Sequence, residues 1–233
     1  MIDVVLGSKG SVGTSVFAIS LAKVRAEKEQ TLLIDGDWGR RTLDALLDVH
    51  PVYDAYDALR GRGEELLEVQ GFSYAPASLS HPFTTWDWER LGDLHQGRIV
   101  IDGSRLRVED LDILPLQETE VFLLTSDAPL ALSLAESEMW KLKRRRVKVH
   151  LVINWVLDSQ ESLATLSECE GLLRAHLLPE VETNDDAGLL NLMEGELRRI
   201  LEETKGDWTD PVISKKKSQR FRLGHWFGGK HDG

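Results

Sequence analysis

Residues 7–15 read GSKGSVGTS. Gly7, Gly10 and Gly13 recur at every third position between an apolar run, IDVVL, and a helix-like stretch, VFAISLAKV. Glycines at such a junction allow a tight turn and a close approach of backbone to ligand. The free N–H groups at the start of the following helix favour an anion. Lys9 and Ser15 add a cation and a hydroxyl to the same loop. The chemistry this indicates is phosphate binding.

The glycine pattern alone does not choose between a dinucleotide and a nucleoside triphosphate. Asp35 or Asp37, closing the next apolar run, stands where a dinucleotide-binding fold places its ribose-binding acid, about 20 residues on. A short-chain dehydrogenase of the extended type further needs a Tyr with a Lys four positions later. Here Tyr53 is followed by Asp57, Tyr56 by Arg60 and Tyr74 by Ser78. Hydride-transfer chemistry therefore has no proton relay, and a non-catalytic dinucleotide binder is the form of this reading that remains.

The loop needs elements to hold it. Short apolar runs at 2–6, 31–35, 72–76, 98–102, 121–125, 149–154 and 175–180 suit strands buried on both faces of a parallel sheet. Helix-like stretches lie between them at 14–28, 42–49, 54–69, 128–145, 158–174 and 186–204. Alternation of strand and helix along the chain predicts a three-layer α/β fold, a mostly parallel sheet with helices on both faces.

Read in order, these segments resemble the MinD/ParA family of deviant Walker A P-loop ATPases, whose loop reads KGGxGK[ST][ST]. Lys9, Gly10, Ser11, Val12, Gly13, Thr14 and Ser15 fall in that frame. Lys9 matches the signature lysine that reaches the nucleotide of the partner subunit. Ser15 matches the hydroxyl that ligates Mg²⁺. The resemblance continues through LLIDGDWGRRTLDALL with the paired Asp35 and Asp37, AYDALR, FSYAPAS, and RIVID ending in Asp102 at the Walker B place. It runs on through VFLLTSDAPLALSLAE, through VHLVINWV with Asn154 at the base-contacting position, and through LLPEVETNDDAG with Pro179 in the turn beside the adenine. It implies a P-loop NTPase fold over residues 1–213, with ATP or ADP and Mg²⁺ as ligands. Ser15, Asp35 and Asp102 would lie near the metal, and Asp37 would be the catalytic carboxylate. The partner implied is a second copy or a related ATPase subunit.

The match breaks at the chemistry. Thr14 stands where the family has the loop lysine on the β- and γ-phosphates, and a short neutral side chain does not replace that cation. Ser11 replaces a glycine at the close approach of subunits and phosphates, and Val16 replaces the second hydroxyl residue. After Asp102 the chain reads Gly103-Ser104-Arg105-Leu106, so Leu106 occupies the position of the glycine whose N–H faces the γ-phosphate. Phosphoryl transfer depends on positive charge around that phosphate. The expectation is a degenerate site with little or no hydrolysis, in a membrane-associated positioning or scaffold protein. Arg40 and Arg41, in the segment after the second strand, are candidates for compensating charge, and the alternative is an active Mg-ATPase in which Arg40 or a residue of a partner replaces the missing lysine.

Residues 214–233 form a separate tail. Lys215, Lys216, Lys217 and Arg220 adjoin Phe221, Leu223, Trp226 and Phe227, with Leu223 and Phe227 on one helical face. The segment resembles the basic amphipathic end of MinD proteins, and the resemblance implies contact with an anionic membrane surface. It carries six basic residues against one acid, while the whole chain carries 28 basic and 39 acidic, net −11. So acidic a body argues against broad nucleic-acid binding. No apolar run reaches the ~20 residues of a membrane helix. MIDVVLG reads as a first strand rather than a signal peptide. Cys169 is the single cysteine, leaving no intrachain disulfide. The expected location is cytoplasmic, peripheral on the inner face of the membrane. The seven histidines show no metal-ligand spacing.

Overall fold

The computed structural model describes residues 1–10, 12–37, 40–60, 66–85, 88, 97–156, 175–179 and 186–203. The predicted helix at 158–174, Cys169 and the tail lie outside them, as do Ser11 and Trp38.

Eight strands form one sheet: β1 (Ile2–Gly7), β2 (Thr31–Asp35), β3 (Leu67–Val69), β4 (Phe72–Ala75), β5 (Arg98–Gly103), β6 (Thr119–Thr125), β7 (Lys148–Val156) and β8 (Ala175–Pro179). Their spatial order is β3-β4-β2-β5-β1-β6-β7-β8, and every pair but β3–β4 is parallel. Runs of Val, Ile and Leu let the central strands bury both faces. Alternate residues then feed two cores. Ile2, Val4 and Leu6 face one side, with Leu132, Ala135, Met139 and Leu142 of the helix Pro129–Arg144 (here α4). Val5 faces the other, with Phe17, Leu21 and Val24 of α1 (Thr14–Ala26), Leu43 and Leu47 of α2 (Thr42–Leu47), and Leu197 of α5 (Asp186–Glu203). A short helix, α3 (Ala55–Leu59), starts from an Asp54 cap that accepts from the Asp57 amide at 2.9 Å. The three-layer expectation is met.

Two expectations are corrected. The helix expected over 54–69 stops at Leu59, and its last residues form β3. Val69 pairs with Phe72 across a two-residue turn in which Gln70 and Gly71 have φ of 51° and 93°. Positive φ at both centres is the twist that hairpins favour, and Gly71 supports it. The dinucleotide-binding alternative is set aside by strand order. That fold pairs its first two strands directly, in the order 3-2-1-4-5-6, whereas β5 here lies between β1 and β2.

The N-terminal ends of the strands are tied by charge. Asp3 on β1 is fully buried and receives Arg25 Nε at 2.8 Å and Arg98 Nη1 at 3.2 Å. Glu120 beside them accepts from Lys148 at 2.9 Å and pairs with His150 at 3.2 Å.

Gln70 holds a left-handed conformation that a long side chain resists. Gln70→Asn is expected to stabilise the protein by about 0.5 kcal/mol, read from urea denaturation. An unchanged or lower midpoint would contradict the turn assignment.

Candidate nucleotide site

β1, β5 and β2 run parallel with Leu6 opposite Gly103 and Asp35 opposite Asp102. Their C-terminal ends therefore meet on one edge. Gly7, Asp102 and Asp35 are placed there by register alone.

The loop leaves β1 and returns as α1. At Gly7 the turn is so tight that a β-carbon would stand 2.8 Å from Thr14 Oγ1 and 3.0 Å from the Lys9 carbonyl. Gly13 caps the helix with φ 80°, a left-handed conformation that costs glycine nothing, and its carbonyl accepts from Phe17 N at 2.9 Å. Val12 buries its side chain in the core beneath α1. Two braces hold the loop from the far side. Ser8 Oγ donates to Thr125 Oγ1 at 2.8 Å, and Thr125 in turn donates to the Ala131 carbonyl at 3.0 Å. Asn154 Nδ2, buried at the end of β7, donates to the Val12 carbonyl at 2.9 Å. Lys9 and Gly10 are exposed at the tip. Thr14 is buried under the turn, 7% accessible. Pro179 ends β8, paired with Val156.

Facing the loop are three buried carboxylates. Asp35 Oδ1 accepts from the Asp37 amide at 2.9 Å, and Asp102 Oδ1 accepts from the Ser104 amide at 3.0 Å. Among the described residues, one oxygen on each acid finds no hydrogen-bond partner: Asp35 Oδ2, Asp37 Oδ1 and Asp102 Oδ2. Burial, with the Asp102 carboxylate beside it, pushes Asp35 up to about 8. Burial pushes Asp102 up to about 6, against the opposing pull of the Ser15 hydroxyl and the Ser104 amide. Asp37 is also raised by burial, against the pull of Arg105 and then Arg40. Arg105 Nε stands 3.5 Å from Asp37 Oδ1.

Of the two arginines expected as replacement cations, Arg41 is otherwise occupied, while Arg40 stays exposed and its charge acts on Asp37 more weakly than that of Arg105. Arg41 Nη1 donates to the Pro51 carbonyl at 3.0 Å and lies 3.7 Å from Asp44, whose Oδ1 receives Tyr74 at 2.6 Å. Arg40 is exposed. The sequence reading missed Arg105, since nothing in its position signals which carboxylate it will meet. It also missed the Ser8–Thr125 brace, which only the β1–β6 pairing creates. Leu106, at the family's glycine position, is buried, its Cδ1 3.4 Å from where a β-carbon on Gly36 or Gly103 would stand.

Compared by sequence, the chain matches no protein-family model and no curated protein. Compared by structure, it matches a plasmid partition protein from Borrelia burgdorferi bound to AMPPNP, at TM-score 0.65 and 17% identity over 87% of this chain and 98% of that one. The MinC:MinD cell division complex of Aquifex aeolicus gives 0.59 and 17%, over 87% and 88%. Cobyrinic acid a,c-diamide synthase from Mycobacterium smegmatis, with ADP and magnesium, gives 0.65 and 15%, over 91% and 100%. The chain has the MinD/ParA-like P-loop fold. Identities this low establish architecture, not activity.

In this MinD/ParA-like frame the loop amides and α1 N-terminus are placed where an anion would be favoured, with the carboxylates at the same edge of the sheet. Among the described residues no set of three or more His, Cys, Asp or Glu side chains is arranged to hold a metal unaided. Ser15 and the unbonded oxygens of Asp35 and Asp102 are hard donors. They fit a Mg²⁺ that takes its remaining ligands from phosphate and water. Such an ion would neutralise charge on the phosphates.

Asp35 gives a test of the site's electrostatics. Between 3.8 and about 8 the folded chain holds a proton that the unfolded chain has released. Its contribution is full below that window and is lost as pH rises through it. Asp35→Asn should flatten this slope and gain more than about 1 kcal/mol at pH 8 relative to pH 4. Urea denaturation at both pH values measures it, and parallel curves for the two proteins would refute the assignment. For the brace, Asn154→Ala should cost about 1 kcal/mol and speed amide exchange in the loop. Unchanged exchange there would remove Asn154 from the loop's support.

Proposed function

We propose that this chain is a MinD/ParA-like positioning or scaffold protein that binds ATP or ADP with Mg²⁺ weakly and hydrolyses ATP slowly or not at all. One observation carries it. A glycine loop at a helix start faces buried carboxylates, while the loop-lysine position is held by a short, buried Thr14. The neighbours support the ligand class, since the Borrelia protein holds AMPPNP and the synthase holds ADP and magnesium. The partition and cell-division names support the positioning role, and the MinC:MinD pair supports a protein partner.

Lys9 is exposed at the loop tip, free to reach across an interface. A homodimer, or a pair with a related ATPase subunit, is the assembly proposed. Among the described residues no helix is long and apolar enough to cross a membrane. Attachment is proposed through Lys215, Lys216, Lys217, Arg220, Phe221, Leu223, Trp226 and Phe227, from the cytoplasmic side. Each basic residue contributes about 1 kcal/mol near an anionic surface, so paired tails would bind far better than one.

One observation favours a second reading, an active Mg-ATPase: Arg105 places a guanidinium beside Asp37. Turnover separates the two. The expected rate is roughly 10²–10³-fold below that of relatives with the loop lysine. A comparable rate, abolished by Asp37→Ala, selects the ATPase. Calorimetric titration with Mg-AMPPNP, Mg-ADP and NADH should show binding of the adenine nucleotides alone; tight NADH binding overturns the proposal. Co-sedimentation with anionic liposomes should pellet the full chain and leave a chain ending at Ile213 in solution. Equal pelleting rejects the anchor.

A further inference from the structure

We propose that Arg105 supplies the positive charge that the loop lacks at Thr14, pairing with the terminal phosphate of a bound nucleoside triphosphate. This rests on the nucleotide-binding reading above and names the residue that gives the site its preference among nucleotides.

The turn that carries Arg105 is fixed at both ends. Asp102 closes it by accepting from Ser104 N, and Leu106 N donates to the Gly103 carbonyl at 3.0 Å. Leu106 is buried while Arg105, next to it, is 49% accessible at its side chain. The backbone is therefore held and the guanidinium is not. Leu106 occupies the position where the family's glycine faces the γ-phosphate, so Arg105 projects from the residue beside that point. Its stem borders an open cleft of about 340 Å³ between Pro82–Thr84 and Arg105–Arg107. That leaves the head group room to turn.

The other cations nearby are paired elsewhere or act more weakly. Arg41 is held by Pro51 and Asp44, and Arg107 by Asp110 at 3.4 Å. Arg40 donates its backbone N–H to the Asp37 carbonyl at 3.2 Å, and its charge favours ionised Asp37 less than that of Arg105 does. Lys9 is exposed at the loop tip. Among the described residues Arg105 is the one cation whose side chain pairs with a carboxylate of the site.

The electrostatics call for such a group. The ionised carboxylates of the site repel a triphosphate unless a cation offsets them. The pair of Arg105 with Asp37 spans 3.5 Å through a single nitrogen, at the long end of hydrogen-bond distance. A phosphate offers the planar guanidinium two aligned, charge-assisted bonds, a better partner than Asp37 in this geometry. Exchange of one partner for the other needs only a side-chain rotation. A diphosphate, lacking the terminal group, leaves Arg105 with Asp37. The expected result is a preference for triphosphate over diphosphate that depends on one side chain.

The test is calorimetric titration of the full chain with Mg-AMPPNP and with Mg-ADP, for wild type, Arg105→Ala, Arg105→Lys and Arg107→Ala, with folding checked by circular dichroism. Arg105→Gln replaces Arg105→Ala should the latter not fold. Arg105→Ala is expected to weaken Mg-AMPPNP on the order of tenfold or more while changing Mg-ADP by less than about threefold. Arg105→Lys should keep part of the preference, having the charge without the fork. Arg107→Ala should leave both affinities unchanged. Equal losses for the two nucleotides, or none, overturn the assignment to Arg105 and leave nucleotide binding standing. A wild-type chain that binds neither nucleotide overturns both.

Discussion

Asp35 and Asp102 lie opposite one another on adjacent parallel strands, both fully buried. Two carboxylates side by side out of water are costly, and the sheet cannot shift to separate them. Moving β2 by one residue against β5 would turn Leu33 and its neighbours from one core to the other. The register that buries the apolar residues thus fixes the carboxylates too. What surrounds them follows from that. Each acid takes one backbone N–H on its first oxygen and leaves the second unbonded. Two of them are held up to about 8 and about 6, so the edge carries less charge near neutrality than its acids could.

The two ends of the sheet answer the same problem differently. At the N-terminal end Asp3 is as buried as Asp35, but two arginines reach it. At the C-terminal end one guanidinium stands 3.5 Å from Asp37, and among the described residues no cation pairs with Asp35 or Asp102. The first arrangement satisfies its charge within the chain. The second leaves an oxygen of each acid unbonded, and buried unpaired groups concentrate where function is carried.

Much of the frame was legible in the sequence. Continuous Val, Ile and Leu runs located the central strands nearly to the residue, since burial on both faces leaves no other composition possible. Glycine spacing located the loop. The hairpin from Leu67 to Ala75 was not legible, because Leu67–Val69 continues a helix-like pattern and only the positive φ at Gln70 and Gly71 reverses the chain. Within the site, the acids were readable from the ends of their strands. Their surroundings were not. Whether Arg40, Arg41 or Arg105 faces Asp37 depends on how two turns from different strands are anchored, and no local pattern encodes that.

Leu106 has a consequence for timing. In a nucleotide switch, a flexible hinge lets one phosphate more or less move a whole segment. Here the corresponding residue is a leucine packed into the core cluster. Releasing it means exposing that side chain, at about 1.5–3 kcal/mol, with no glycine to absorb the change in backbone. The molecule is thereby biased toward a single posture. The leucine works as ballast for this segment, a weight that a glycine in its place would not carry.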